Sequence, residues 1–265
     1  MKRLLCIGMI LLGTAASFAA DGGAGPEGPG WEKTRSGILH HASLPLAIAT
    51  PPRPEPVPPR VVFHGDRTRN RVALTFDACA TRAPSGCDEA LIRVLTDTRT
   101  PATLFLGGKW MLDHPEATRR LAQTAFFELG NHSFLHPHMT RLSDQEVRRE
   151  LEWTQIVLFS LTGRVAAYYR PPYGEQDERT AAIAAESGLV TVQFDLASGD
   201  PDPAVTPERL VRYVTGGARG GSIVVMHMNG RGWKTAEVLP AILSGLHQKG
   251  FELVTVGELL GAGSE

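Results

Sequence analysis

Short apolar runs alternate with longer amphipathic stretches from residue 71 to the end of the chain. The first run, residues 71–76, is compact and apolar and ends at Asp77, which is typical of a buried strand. The other predicted strands are residues 103–106, 126–129, 168–170, 189–194, 222–226 and 250–256. Because strands that alternate with helices usually pair in parallel, the pattern predicts an α/β fold with helices outside the sheet.

Helices are predicted between these strands from apolar residues at helical spacing. The clearest start lies at Ser143, a candidate N-cap with Glu146 three residues later, as in a capping box; this helix runs to about Leu161. The other predicted helices are residues 88–95, 115–124, 180–187, 207–214, 236–246 and 256–260.

Polar residues gather where the predicted strands end. They are Asp77, Asn131, His132, Arg170, Asp195 and His227. The carboxyl ends of parallel strands share one rim, and this rim is where such folds place their active sites. Convergence of residues from so many strands favours a barrel over an open sheet.

The first sixty residues differ from the rest in composition. Residues 1–20 predict a signal peptide, because Lys2 and Arg3 precede a short apolar run and cleavage is expected near Ala20. The mature protein is therefore expected to be exported, periplasmic or secreted; an uncleaved anchor is the alternative. Residues 21–60 are predicted to be a Gly/Pro-rich linker, extended over 51–59, and residues 61–265 to be the domain.

Composition excludes some classes of function. The chain has 265 residues, is 42% hydrophobic and carries a formal net charge of -1. It can therefore build a sizeable core as one domain, and no electrostatic case for nucleic-acid binding exists. No segment after the signal is apolar enough to predict a transmembrane helix.

Two histidines and two cysteines are candidate ligands or cross-links. His132 and His136 stand four apart, a spacing that puts two imidazoles on one face of a turn and lets them share a metal ion. Pro137 follows directly, so a short turn in a loop is expected, and two surface histidines are the alternative. Cys79 and Cys87 remain after the signal is removed, and an oxidising compartment favours a disulfide between them. The alternatives are two free thiols or a metal-binding pair, which their spacing does not suggest.

Five motifs in order resemble those of the polysaccharide deacetylases of the NodB-homology type, carbohydrate esterase family 4. The family's Thr-Phe-Asp-Asp corresponds to Thr-Phe-Asp-Ala at residues 75–78, and its His-Ser/Thr-x-x-His to residues 132–136. Its Arg-x-Pro-Tyr/Phe-Gly corresponds to residues 170–174, its Asp-containing segment to 195–200, and its apolar strand ending in His to 223–227. The resemblance runs from about residue 72 to 260.

The resemblance implies a distorted (β/α) barrel and metal-assisted hydrolysis of an N-acetyl group on a glycan. His132 and His136 would hold a divalent ion, with zinc expected first and cobalt or nickel as alternatives. Asp77 would act as general base, held in place and kept ionised by Arg170. His227 would protonate the leaving amine.

Other roles implied by the resemblance are less closely defined. The acidic partner of His227 would be Asp195 or Asp200, and the fourth motif departs too far from the family pattern to choose between them. The backbone N–H of Tyr173 would help to stabilise the oxyanion. The rings of Tyr173 and Trp233 would stack on sugar faces, unless they pack in the core.

The chain departs from the family pattern at Ala78, where the resemblance implies a metal-binding aspartate. Asp88 could replace that ligand, because the expected disulfide would draw it towards Asp77. Alternatively, Asp77 itself moves onto the metal, or two histidines and water hold the ion weakly.

The sequence leaves rival functions open. The chain could be a non-catalytic member that binds an N-acetylated glycan, or an amidase-like hydrolase acting on another C–N bond. The expected glycan is peptidoglycan, a chitin-like glycan or a secreted polysaccharide.

Overall fold

One parallel sheet forms the centre of the fold. The computed structural model describes residues 29–42, 46–80 and 86–261, and nine strands occur within these ranges. They are β1 (Val61–Val62), β2 (Arg71–Ala78), β3 (Ala102–Leu106), β4 (Phe127–Asn131), β5 (Tyr168–Tyr169), β6 (Val190–Val192), β7 (Leu196–Ala197), β8 (Ile223–His227) and β9 (Glu252–Val254). The strand order is β1-β6-β5-β4-β3-β2-β8-β7, and β9 pairs with the first residues of β2.

Helices follow most strands and cover the sheet. They are α1 (Pro29–His40), α2 (Glu89–Asp97), α3 (Gly108–Asp113), α4 (Pro115–Gln123), α5 (Asp144–Thr162), α6 (Glu178–Glu186), α7 (Pro207–Gly217), α8 (Thr235–Gln248) and α9 (Val256–Leu260). Two short 3₁₀ turns lie at Met139–Arg141 and Pro172–Gly174. The capping box predicted for α5 is present, with Ser143 and Glu146 bonding to each other's backbone N–H.

The sheet curls, so that its two ends approach each other. An antiparallel bridge joins His64, just after β1, to Ser222, just before β8, and the Gly65 N–H donates to the Gly221 carbonyl at 2.8 Å. This confirms the predicted (β/α) barrel, in a distorted, half-closed form. Very short strands, such as β1, β5 and β7, account for the distortion because they offer few ladder hydrogen bonds.

Strand register brings the site residues together. Asp77 at the end of β2 is paired with His227 at the end of β8. Asn131 at the end of β4 is paired with Tyr169 of β5, so the next residues, His132 and Arg170, are also neighbours. The alignment therefore gathers an acid, two histidines and an arginine on one rim of the sheet.

The predicted secondary structure is largely confirmed between residues 61 and 261, with ends shifted by a few residues. The elements that the pattern did not predict are β1, α1, α3 and β7, of which β1 and β7 are two residues long. A two-residue strand such as β1 or β7 leaves almost no periodicity to read, and α1 lies in the segment that was predicted to be a linker.

The predicted linker needs correction, because part of it is a packed helix. Helix α1 lies inside residues 21–60, and Ile38 is fully buried in the core. A Cβ at Gly37 would lie 2.4 Å from the Trp153 ring of α5, which shows how closely the two helices approach. Residues 51–59 contain neither helix nor strand, as predicted. The predicted signal peptide lies outside the described residues.

None of the helices within residues 29–42, 46–80 and 86–261 combines the length and apolarity that crossing a bilayer requires.

Substitution of Ile38 tests whether α1 belongs to the folded unit. Ile38→Ala removes a fully buried side chain, so we expect the free energy of unfolding to fall by about 2–5 kcal/mol. Urea unfolding of the mature protein measures this, with Lys33→Ala, an exposed position on the same helix, as the control. Equal stability of the two variants would show that α1 does not pack as described.

Candidate active site

A cleft of about 320 Å³ opens at the carboxyl ends of the strands. It is lined by most of the residues singled out by the sequence, namely Asp77, His132, His136, Arg170, Tyr173, Asp200 and His227. Cys79 and Arg231, to which the sequence analysis gave no role in a site, line it as well.

A buried ion pair lies at the base of the cleft. The Arg170 Nη1 donates to Asp77 Oδ1 at 2.9 Å, and the two side chains are only 1% and 7% exposed. The same Nη1 donates to the Thr75 hydroxyl at 2.6 Å. The guanidinium also stacks 4.1 Å from the Phe105 ring centroid, so it is fixed by contacts with β2 and β3.

The pair sets the charge of Asp77. Burial alone would raise the pKa of this carboxyl, but the positive charge of Arg170, aided by His132 and His227, outweighs burial and lowers the pKa below its usual value. Asp77 is therefore a carboxylate at neutral pH. Its Oδ1 is bound by Arg170, while Oδ2 lies 3.8 Å from His132 Nε2.

His132 is oriented as a metal ligand. Its Nδ1 lies 2.8 Å from the Arg170 backbone carbonyl, which can only accept a hydrogen bond, so Nδ1 carries the proton. The lone pair is then on Nε2. Fixing one ring nitrogen with a carbonyl while the other stays free is the usual arrangement behind a metal-bound histidine. Burial lowers the pKa of His132, which keeps the ring neutral.

The turn that carries His136 is not helical. Ser133 and His136 both have positive φ values, 63° and 58°, and the His136 N–H donates to the Ser133 hydroxyl at 3.1 Å. The two imidazole centroids still lie 4.9 Å apart. Burial, with His132 nearby, lowers the pKa of His136 to about 3, so this ring is also neutral and able to bind a cation.

Helix α5 and strand β4 hold this turn in place. The Glu150 carboxylate accepts hydrogen bonds from the Phe134 and Leu135 backbone N–H groups, each at 2.8 Å. The Asn131 side chain accepts from the Ser133 N–H at 2.9 Å and donates to the Leu151 carbonyl. These bonds stabilise a backbone that is otherwise unfavourable for residues with a Cβ.

Asp200 is the acidic partner that the structure gives His227. Its Oδ1 accepts from His227 Nδ1 at 2.8 Å, and its Oδ2 accepts from the His227 N–H and from the Thr235 hydroxyl. Burial opposes the positive charge on the ring, but the hydrogen bond to Asp200 and its charge, aided by Asp77, raise the pKa of His227 above its ordinary value. The other candidate, Asp195, is bound instead by Arg67, Ser222 and the Ile223 N–H.

Asp88 is not among the residues that line the cleft with His132 and His136. Its carboxylate caps helix α2 by accepting from the Leu91 N–H at 3.0 Å, and its own N–H donates to the Met228 carbonyl. An N-cap residue is already using its oxygen in the helix.

The predicted disulfide is not formed, since Cys79 and Cys87 are both free thiols. Cys79 lines the active-site cleft, whereas Cys87 lines a different one beside Glu89 and Arg120. The prediction rested on an oxidising compartment, which says nothing about the direction in which each side chain points.

Cys79 lies beside the two histidines. Ligand atoms of Cys79, His132 and His136 all lie within 4.8 Å of one another, and this is the one such group among the residues that the structure describes. Imidazole and thiolate ligands suit zinc and related divalent ions, so these residues fit a metal. Burial, with the charge of Asp77, raises the pKa of the Cys79 thiol to about 12, so without a metal it is protonated.

The signal for Cys79 was present in the sequence. Side chains two residues apart on an extended strand point to the same side, so Asp77 and Cys79 share a face while Ala78 points away into the core. The assumption of a disulfide hid this relationship. Arg231 lies in a Gly-rich loop without periodicity, and nothing in the sequence placed it in the cleft.

Aromatic side chains lie at the rim. Tyr173 is 57% exposed, and its ring stacks on His138 with 4.3 Å between centroids. His138 Nδ1 lies 2.8 Å from the Glu175 carboxylate, and this contact holds the ring on which Tyr173 stacks. Trp233 is equally exposed, and its backbone N–H donates to the Asp200 carbonyl, which places it next to the wall of the cleft.

Known proteins are similar to this chain in sequence. The family model described as Polysaccharide deacetylase matches residues 64–192. The peptidoglycan-N-acetylglucosamine deacetylase PgdA of Listeria monocytogenes is 31% identical over 195 residues, covering 74% of this chain and 40% of the relative. A chitooligosaccharide deacetylase of Rhizobium leguminosarum is 30% identical over 203 residues, covering 71% of this chain and 91% of that protein.

Solved structures are also similar to this chain. A pseudoenzyme of carbohydrate esterase family 4 from Bacillus anthracis superposes with a TM-score of 0.69 at 25% identity, covering 77% of this chain and 69% of that one. The chain spans less than half the length of the Listeria protein, as its 40% coverage indicates.

Replacing Asp200 tests the electrostatic role of the His227–Asp200 pair. In Asp200→Asn the carboxylate charge is lost, so we expect the pKa of His227 to fall. NMR titration of the His227 ring measures it. Asp202→Asn, which removes an exposed carboxylate from the same loop, should leave the titration unchanged. An unaltered His227 titration in Asp200→Asn would contradict the assignment.

Proposed function

The chain belongs to the polysaccharide deacetylase family, and on that premise we propose that it uses one divalent metal ion to hydrolyse the N-acetyl groups of an extracytoplasmic polysaccharide. One observation carries the proposal. A buried carboxylate held by Arg170 and a histidine held by Asp200 line the same cleft as the two neutral histidines. That is a base, an acid and a metal-binding pair in one place.

The metal would be bound through the neutral rings of His132 and His136. Zinc is the first expectation, with cobalt and nickel as alternatives for imidazole ligands. A divalent ion supplies polarisation of the acetyl carbonyl and a lower pKa for bound water.

Asp77 receives a proton in this mechanism. Arg170 holds its Oδ1 and keeps the carboxylate ionised, while Oδ2 faces the His132 side of the cleft. Asp77 takes the proton from the attacking water as the new C–O bond forms. The negative charge that develops on the acetyl oxygen can accept a hydrogen bond from the Tyr173 backbone N–H at the rim.

His227 supplies a proton to the leaving group. Its raised pKa favours the protonated ring up to a higher pH than in a free histidine, and Asp200 fixes Nδ1, which leaves Nε2 for the substrate. When the C–N bond breaks, His227 donates to the departing nitrogen. The products are acetate and a free amine on the sugar.

The substrate is proposed to be an N-acetylated glycan in the cell wall or a chitin-like oligosaccharide. The relatives named for peptidoglycan and chitooligosaccharides support this class. The exposed rings of Tyr173 and Trp233 at the cleft suit stacking against sugar faces. The basic, apolar and small-residue sequence of the first twenty residues supports an exported location.

A non-catalytic glycan-binding role is the second candidate. It is favoured by Ala78 at the position of the family's metal-binding aspartate and by the similarity to a pseudoenzyme. Against it stands the hydrogen-bonded network around Asp77 and His227, because binding alone requires neither a buried carboxylate nor an oriented histidine.

Asp77→Asn tests the catalytic proposal. The change keeps the shape of the side chain but removes the base, so we expect acetate release from N-acetylated oligosaccharides to fall about 10²–10⁴-fold while metal content is unchanged. Asp202→Asn serves as the matched control with full activity. Ammonia in place of acetate from the wild type would point to the amidase-like alternative, and glycan binding without any product would support the binding role.

The pH dependence of kcat/KM provides an independent test. Asp77 must be ionised and His227 protonated, so the rate should rise as Asp77 ionises at low pH and fall as pH passes the raised pKa of His227. In Asp200→Asn the pKa of His227 is lower, which should move the alkaline limb to lower pH. An alkaline limb that stays in place would argue against His227 as the acid.

A further inference from the structure

The third protein ligand of the metal is the unassigned part of this site. The family pattern implies an aspartate at residue 78, but Ala78 has no donor atom and is fully buried in the hydrophobic core. Two carboxylates lie near it in sequence, Asp88, which caps helix α2, and Asp77, whose Oδ1 is bound by Arg170. Neither belongs to the group of described residues whose ligand atoms all lie within 4.8 Å of one another, which is Cys79, His132 and His136.

We propose that Cys79 binds the metal as a thiolate together with His132 and His136, in place of the missing aspartate. The inference rests on the proposed function in assuming that a metal binds here. The three ligand atoms lie within 4.8 Å of one another, and a tetrahedral zinc ion holds such atoms roughly 3.3–3.6 Å apart. Small side-chain rotations are therefore enough to bring them onto one ion.

The backbone positions the Cys79 sulfur for this role. The end of β2 is held on both sides, because the Gly107 N–H donates to the Ala78 carbonyl at 2.8 Å and the Met228 N–H to the Asp77 carbonyl at 3.0 Å. A Cβ at Gly107 would lie 3.3 Å from the Ala78 carbonyl oxygen and 3.4 Å from the Cys79 Cα, so the backbone at the end of β2 packs closely against the segment that leads into α3.

Asn229 supplies a further contact that suits a metal-bound sulfur. Its Nδ2 donates to the Cys79 carbonyl at 2.8 Å and lies 3.4 Å from Sγ. An N–H directed at a ligand atom orients that ligand and partly offsets its negative charge. The Asn229 side chain is itself buried, so this donor is fixed in place.

Thiolate ligation preserves the charge of the site but changes its preference among metals. A thiolate carries the same single negative charge as the aspartate it replaces, so a divalent ion keeps the same net charge. Sulfur is a softer donor than carboxylate oxygen, which favours zinc and cobalt over manganese or magnesium. Cys79, the next residue along the chain, thereby compensates for the metal ligand that is missing at Ala78.

Cobalt binding tests the assignment without relying on activity. The mature protein is titrated with Co²⁺ alone, and absorption is followed in the near ultraviolet, where a cobalt–thiolate bond gives a charge-transfer band. We expect the band in the wild type and in Cys87→Ser, the matched control in the other cleft. It should be absent from Cys79→Ser and Cys79→Ala, with cobalt affinity reduced by more than the roughly 10–100-fold typical of losing a supporting contact.

The outcomes separate this inference from the proposed function. Wild-type affinity and an unchanged band in Cys79→Ala, with near-ultraviolet circular dichroism showing that the variant folds, would overturn the assignment, as would a wild type that binds no cobalt. Cys79→Asp should keep cobalt but lose the band, which controls for misfolding. Cobalt bound through Cys79 with no acetate released from any glycan would sustain the ligand assignment while refuting the deacetylase.

Discussion

The buried contact between Arg170 and Asp77 is the interaction on which the rest of the site depends. Two charged side chains that are 1% and 7% exposed are costly to remove from water, and such a pair is a weak source of stability. The Arg170 Nε has no hydrogen-bond partner among the described residues, which adds to the cost. The pair keeps a carboxylate ionised beside two neutral histidines, and Phe105 and Thr75 hold the guanidinium in position.

The parallel sheet brings the site residues together, because the carboxyl ends of its strands lie at the same rim. Asp77, His132, Arg170 and His227 each lie at or just after the end of a strand, and the pairing of Asp77 with His227 and of Asn131 with Tyr169 aligns these strand ends. Helix α5 then supports the histidine turn through Glu150, and Thr235 at the start of α8 supports Asp200. The strands and helices therefore fix the orientation of the reactive side chains, and several of these side chains lie on the turns between them.

The sequence predicted the fold and most of the residues that line the cleft, because strands and helices alternate along the chain and five individually weak motifs occur in the order typical of one family. The run that ends at Asp77 and the His132–His136 spacing are readable without a structure. Side-chain direction is not: Cys79 was assigned to a disulfide and Asp88 to the metal, although one faces the cleft and the other caps a helix. The choice between Asp195 and Asp200 likewise depended on the curl of the sheet, which brings Asp195 to Arg67 and Asp200 to His227.

The most direct test of the account is the stoichiometry of the products. The mature protein loaded with one equivalent of zinc would be incubated with N-acetylated chitooligosaccharides and, separately, with peptidoglycan fragments, while acetate and new sugar amines are quantified. The account predicts equal amounts of acetate and amine, both abolished when a chelator removes the zinc. Glycan bound at the cleft with neither product, in protein that retains its zinc, would contradict it.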